Sequence, residues 1–406
     1  MASTTDSRST HIAEAFVALA GQTAWSRRQA DLLARAADGP RAGLAARRRH
    51  AIELTLERLR GAPTNSPPAR PIAATERRLL AIAAEIVALG KRLSPTGRAC
   101  LKQRVRTALS DDGTLVPLFH LARTGMLQAA RGFDVTHAGL ESDAPYDLLL
   151  RRDGAEAEIA CAVVSAEAGR GVQRAAWLRL ADRIDPDLQT WLEAHPGRYL
   201  LKMTLPNGLR DEASTEDTLV ALHARIQTLL RTHLRQDHDE AIVLRLDPLL
   251  LAGAQAGDSG LIPSLRDAFG PEAHLSVTKA GGGVFAMAAR AGQENDVPAA
   301  IRRHLTALAP TRLTGDRPGI LSILVEDADR TEWLDPRDRL RLEGETRHFL
   351  TCPEARGVIA VSFASRLELF GAVPPDGVAD GELRYRNPGH PAAKSVALAP
   401  AVLSSI

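Results

Sequence analysis

The sequence predicts a multi-lobed α/β protein, and three observations predict it. The first 110 residues carry apolar positions at three- and four-residue spacing, the mark of amphipathic helices. From Thr114 onward, short apolar runs alternate with helical stretches. Within that part, Asp153-Gly154 separates two runs of strand length, a strong hairpin signal. At 406 residues the chain exceeds the ~100–200 of one domain, and we divide it into a basic helical region (1–110), an α/β core (111–210) and a further α/β region (211–406).

Helical spacing runs through Ile12–Leu19, Ala30–Ala37, Leu44–Leu59, Leu79–Leu89 and Val105–Leu109, with a Pro-rich break at Gly61–Pro68. The core begins with a helix over Val116–Ala130 and a strand at Phe133–Thr136, introduced by Gly132. Strands at Tyr146–Arg151 and Ala157–Ser165 flank the Asp153-Gly154 turn. A helix over Gln173–Ala194 and a strand at Arg198–Leu205 complete the order αβββαβ. Further on we expect a helix at Thr215–Leu234, a strand at Glu240–Leu246 and a hairpin over His274–Ala289 interrupted by three glycines. Strands at Ile320–Val325 and Val358–Phe363 flank a helix near Pro336–Leu350, and no internal repeat is found.

With 45% hydrophobic and 25% charged residues, the composition is globular rather than disordered. No apolar run approaches the ~18 residues a membrane span needs, and the first apolar stretch, Ile12 to Ala20, contains Glu14 and lacks a basic lead-in. No membrane association and no Sec-type export are therefore expected. Cys100, Cys161 and Cys352 are too few and too dispersed for a disulfide framework or a thiolate zinc site, which points to a reducing cytoplasm. The net charge of +2 hides an asymmetry: residues 1–110 hold 19 Lys and Arg against 8 Asp and Glu, an excess of +11, which leaves −9 on the rest. Only five of the basic residues are lysines, so any mechanism that needs an ammonium group has few candidates.

The stretch richest in chemistry is Pro145-Tyr146-Asp147, followed by Glu158-Ile159-Ala160-Cys161-Ala162 with Ser165, Gly169 and Arg170 beyond, and preceded by Leu118-Phe119-His120. Over about residues 114–206 it resembles the PD-(D/E)xK nuclease superfamily, in particular a bacterial form whose third strand reads roughly E-h-E-C-K-x-x-S. The resemblance implies a restriction-endonuclease-like αβββαβ fold, Mg²⁺-dependent phosphodiester hydrolysis, nucleic acid as partner, and bacterial defence as a common setting. It also implies an Asp and a Glu as metal ligands, with a Lys two residues after the Glu to position the attacking water.

Here Asp147 stands where the Asp is expected, but Ala160 and Ala162 replace the Glu and the Lys, and Leu121 stands where an acidic residue often lies in the opening helix. By the two-residue period of a strand, Glu158, Ala160 and Ala162 share one face, and two methyl groups cannot do the chemistry. We therefore expect catalysis to be lost or severely weakened, in a natural pseudonuclease or a chain with deliberate alanine replacements. Two alternatives stand beside this: a non-enzymatic nucleic-acid-binding or scaffold subunit with a protein partner, and a residual nuclease in which Asp147 and Glu158 hold Mg²⁺ and Lys202 supplies the ammonium group.

Basic clusters supply the candidate phosphate contacts: Arg47-Arg48-Arg49, with Arg27-Arg28, Arg77-Arg78, Lys91-Arg92 and Lys102, Arg104 and Arg106, to which Arg170 and Arg174 add the end of the core. Trp25 is the only aromatic residue near the N-terminal clusters, too little for a base-stacking platform. Gly281-Gly282-Gly283 reads as a hairpin turn rather than a phosphate cradle. His233 and His238, with Asp237 and Asp239, read as a solvated helix end rather than a metal site. Neither G-x-S-x-G nor G-x-G-x-x-G occurs.

Overall fold

The structure, a computed structural model, describes residues 2–61, 72–210, 215–249, 258–270, 273–328, 335–366 and 382–403. The expected Pro-rich break lies mostly outside them. The chain forms two units, one of residues 1–34, 47–166 and 298–406 and one of 35–46 and 167–297.

Among the described residues six helices open the chain: α1 (Ala2–Ala20), α2 (Gln22–Arg35), α3 (Pro40–Arg49), α4 (Ala51–Arg60), α5 (Ala74–Arg92) and α6 (Pro95–Ala108). The last is set by its start signal, in which Ser94 Oγ accepts from Gly97 N–H at 3.0 Å and Pro95 occupies the first turn. Next come α7 (Val116–Ala130), β1 (Asp134–Thr136), α8 (Ala138–Glu141), β2 (Leu148–Arg152) and β3 (Ala155–Ser165). Asp153 and Gly154 both take positive φ, at 48° and 77°, as a tight hairpin turn requires, and Leu149 pairs with Glu158 across it.

The next elements are α9 (Arg174–Ala194), β4 (Arg198–Leu205), α10 (Thr215–Thr232), β5 (Gln236–His238), β6 (Val243–Pro248), α11 (Asp258–Phe269), β7 (His274–Ala280) and β8 (Gly283–Ala291). The chain closes with α12 (Val297–Arg312), β9 (Gly319–Glu326), α13 (Pro336–Thr351), β10 (Val358–Ser365), β11 (Leu383–Arg386) and α14 (Ala399–Val402).

The first unit is built on a six-stranded sheet in the order β1-β2-β3-β9-β10-β11. Strands β1, β2 and β3 form an antiparallel meander, β3, β9 and β10 run parallel, and β11 returns antiparallel. Leu121 and Phe133 pack with Leu148, Leu150, Ile159, Ile320 and Ile359 in one apolar cluster. Phe16, Trp25, Leu56, Ile86 and Leu101 form a second cluster that takes in Phe119 of α7 and Leu324 of β9. The N-terminal helices therefore share a core with the sheet rather than forming a region that ends at residue 110. Trp25 is buried and donates from Nε1 to Glu57 at 2.7 Å, so it presents no ring for stacking.

The second unit has a five-stranded sheet, β5-β6-β4-β8-β7, in which β4 and β8 are parallel. Trp177, Leu180 and Ile184 of α9 pack with Leu222 and Ile226 of α10 and with Phe285 and Met287 of β8; Leu261 and Leu265 of α11 pack instead with Leu200, Val284, Ala286 and Ala288. Residues 35–46 belong here, with Arg41 donating to Asp182 and Asp185 of α9 and to the Val277 carbonyl. Gly281 and Gly282, at φ 55° and 75°, make the β7–β8 turn, as expected.

These pairings correct the expected extent of the core. Helix 174–194 and strand 198–205 do not continue the sheet of β1, β2 and β3, because β4 pairs with β6 and β8. The neighbour of β3 is β9, more than 150 residues on, and the expected boundaries at 110 and 210 give way to the two units above.

Candidate functional site

Strand register puts Asp147, Glu158, Ala160 and Ala162 on one face of the six-stranded sheet. Leu148 pairs with Ile159 and Leu149 with Glu158, and the Asp147 N–H donates to the Ile159 carbonyl at 2.9 Å, so Asp147 opens β2 opposite Ala160. Alternation then turns Asp147, Leu149, Glu158, Ala160 and Ala162 one way, and Leu148, Leu150, Ile159 and Cys161 the other. The shared face expected from the sequence thus has its physical counterpart.

Asp147 is 3% exposed, and its carboxylate is fully engaged. Oδ1 accepts from Arg104 Nη1 at 2.9 Å, and Oδ2 accepts from Arg312 Nη2 at 2.6 Å and from the Cys161 N–H at 2.9 Å. Both guanidiniums are anchored a second time, Arg104 to the Gly139 carbonyl and Arg312 to the Pro145 carbonyl. Burial works against the charge of Arg104, but its pairing with Asp147 outweighs that and holds its pKa above the ordinary value. The Cys161 thiol is pushed well up by burial and by the negative charge of Asp147, which makes it a poor nucleophile.

Glu158 is fully buried on the same face, and the loop ahead of β9 captures it. Thr314 donates its N–H to Oε2 at 2.9 Å and its hydroxyl to Oε1 at 2.6 Å. Arg317 reaches Oε1 at 3.5 Å while its Nε donates to Glu156 at 2.7 Å, and that pairing raises its pKa. The same contact and the Arg151 guanidinium hold the Glu156 carboxyl below its usual range. Two carboxylates thus lie in a setting of arginine and threonine donors.

That donor set does not fit a magnesium ion, which takes oxygen ligands and retains several waters. Both oxygens of each carboxylate already accept from protein groups, and positive guanidiniums stand where a cation would compete. Among the described residues no three His, Cys, Asp or Glu side chains converge on a common point. Glu158 instead ties β3 to the loop before β9, and each oxygen of Asp147 and Glu158 that the resemblance would give to a metal already accepts a protein hydrogen bond. Lys202, the alternative ammonium donor, belongs to the second unit, where its Nζ pairs with Asp247 at 2.9 Å. Asp237 and Asp239 pair with Arg225, which removes them as metal ligands alongside His233 and His238.

Of the basic candidates, Arg47, Arg48 and Arg49 have exposed side chains at the end of α3, and Arg49 reaches the Asp112 carbonyl at 3.2 Å. Arg170 is buried and paired with Glu167, and the N–H of Arg174 donates to the same carboxylate at 2.6 Å. Arg170 is therefore a structural residue of the second unit and not a phosphate contact. The neighbour of Arg104 matters more. Helix α6 carries no acidic residue, and Arg98, Lys102 and Arg106 are exposed at four-residue spacing along one face.

The sequence did not reveal Arg312, Thr314 and Arg317, because they lie more than 150 positions beyond the strand they serve. Their only local signal is a charged, Gly-containing turn, Thr314-Gly315-Asp316-Arg317, directly ahead of an apolar strand. No helix among the described residues is long and apolar enough to cross a membrane. No protein-family model, no curated protein and no solved structure matches the chain.

Proposed function

We propose that the first unit is a nucleic-acid-binding relative of the PD-(D/E)xK nucleases in which metal-dependent cleavage has been lost. Supporting this, α7, β1, β2, β3, α12 and β9 come in the order αβββαβ once the one-turn helix α8 between β1 and β2 is set aside, with the second unit intervening between β3 and α12. On this reading the part of the resemblance that lies within residues 114–165 is continued by residues 297–326, in place of the expected continuation to residue 206.

The observation that carries the functional reading is the helix beside Asp147. Arg104 of α6 holds the carboxylate that the resemblance assigns to metal, while Lys102 and Arg106 of the same helix are exposed without an acidic neighbour on it, and Arg98, exposed on the same face, donates to the Gly90 carbonyl at 2.8 Å. A phosphate backbone lying along α6 would meet Lys102 and Arg106, whose backbone positions are about 6 Å apart by the rise of four helical residues, with the charge of Arg98 one turn before Lys102. That arrangement binds nucleic acid by charge and has no means of activating a water molecule.

The test is fluorescence anisotropy of the full chain with labelled duplex DNA, single-stranded DNA and RNA. Lys102→Glu with Arg106→Glu should weaken binding at least about tenfold and reduce its salt slope, since each phosphate contact adds roughly 0.7–0.9 to that slope. No substrate should be cleaved in Mg²⁺. Absence of binding at about 50 mM salt, or Mg²⁺-dependent cleavage by the unaltered chain, would overturn the reading.

A further inference from the structure

In the second unit, parallel strands β4 and β8 end side by side, with Thr204 in register with Arg290. Beyond their carboxyl ends lies a cleft of about 350 Å³. This is the position at which open α/β sheets take ligands, and the volume falls at the lower end of the ~300–1,000 Å³ of small-molecule sites. Thr204, Arg290, Phe269 from the end of α11, His274 from the start of β7, and Asn295 line it.

The wall that follows β8 is fixed in place. Asn295 Oδ1 accepts from the Gly171 N–H at 3.1 Å, and the Asp296 N–H donates to the Gly169 carbonyl at 2.8 Å. Gly292 approaches Pro206 so closely that a Cβ would stand 2.8 Å from its Cα, which excludes any other residue there without a shift. A site held in this way loses little entropy when it is filled.

Its charge selects the ligand. Arg290 is exposed and has no carboxylate partner among the described residues. His274 is kept neutral, with its pKa pushed down to about 4 by burial and then by the positive charge of Arg170, Arg174 and Arg266. Against these stands one acidic lining residue, Glu294. A guanidinium fork matches phosphate oxygens, and the faces of a neutral imidazole and a phenyl ring offer flat surfaces on which a ring can stack.

We propose that this cleft binds a small phosphorylated, ring-bearing molecule of nucleoside monophosphate size, with its phosphate on Arg290 and Thr204 and its ring against Phe269 and His274. The proposal rests on residues of the second unit alone and stands or falls independently of the reading given to the first.

Calorimetric titration of the full chain with AMP, adenosine and inorganic phosphate tests this. Saturable AMP binding is expected, with phosphate competing and adenosine binding more weakly. Arg290→Glu should weaken AMP at least about tenfold, the loss of a charge-assisted pair. Arg231→Glu, an equal charge change on the exposed face of α10, should leave it unchanged. Thr204→Val preserves side-chain volume and should weaken AMP by a smaller factor, and it serves as the reporter if Arg290→Glu lowers the melting temperature. Absence of AMP binding up to about 10 mM, which corresponds to less than ~3 kcal/mol of affinity, or equal losses in Arg290→Glu and Arg231→Glu, would overturn the assignment.

Discussion

Arg312 Nη2 donates to Asp147 Oδ2 at 2.6 Å and thereby ties the end of α12 to the residue that opens β2. Removing the carboxylate leaves two guanidiniums and the Cys161 N–H without their acceptor. The arginine side chains are 38% and 33% exposed, so solvent recovers part of the loss. Asp147→Ala should therefore lower stability by about 2 kcal/mol, below the ~3–5 of a fully buried pair broken on one side. Urea denaturation measures this, and a variant as stable as the parent would mean that Asp147 is not a structural tie.

The two missing side chains should restore part of the site, and freeing Asp147 from Arg312 should restore more. Ala160→Glu places a carboxylate across from Asp147, and Ala162→Lys places an ammonium two residues further on the same face. The double variant should cleave nucleic acid in Mg²⁺ at a rate above the product of the two single effects, because the groups act as one unit. Adding Arg312→Gln should increase that rate, since Arg312 occupies the Oδ2 lone pair that a metal would use. A slower triple variant would show that Arg312 supports rather than opposes the chemistry.

His120 makes stability pH-dependent. It is fully buried, its Nε2 contacts the Ser322 carbonyl at 2.9 Å, and burial pushes its pKa down to about 4. Between about 4 and the ordinary ~6.5, the unfolded chain binds a proton that the folded chain refuses. The stability due to neutral His120 is thus fully present above pH ~6.5 and falls as the pH drops toward 4, by about 2 kcal/mol between pH 7 and 5. A series of denaturation midpoints should show this slope, and His120→Gln should reduce it, leaving the like contribution of His274.

Glu382, 2% exposed, accepts from Arg123 at 2.9 Å and from Arg131 at 3.1 Å, which joins the middle and the C-terminal end of α7 to the start of β11. Glu382→Ala should cost about 3–5 kcal/mol by stranding two mostly buried guanidiniums. Replacing all three residues together with Met or Leu should recover most of that loss, because no charge is then left unpaired. Thermal melts of the two variants distinguish a pair valued for its charge from one that fills space.

Much of the local structure was legible because local chemistry determines it. Asp153-Gly154 forced the hairpin, the two-residue period placed Glu158, Ala160 and Ala162 together, and Gly281-Gly282 could only turn. The second half of the core was misread because Arg198–Leu205 is as apolar and as strand-like as Gly319–Glu326. Nothing within either strand says which pairs with β3; that choice lies in long-range packing. For the same reason Glu158 read as a ligand, since its captors Thr314 and Arg317 are distant in sequence. Arg170 read as exposed because its partner Glu167, three residues before it, is invisible to a charge count.

The hydrogen bond from the Asp296 N–H to the Gly169 carbonyl has a kinetic consequence. Strand β3 cannot pair with β9 until a loop of more than 150 residues has closed, and closure entropy rises with the logarithm of loop length. If the second unit folds first around its own core, that bond brings positions 169 and 296 together and shortens the effective loop to α12 and a few flanking residues. The order of events should then be fixed, with the five-stranded sheet protected from hydrogen exchange before the β3–β9 ladder is, and the six-stranded sheet setting the slow step.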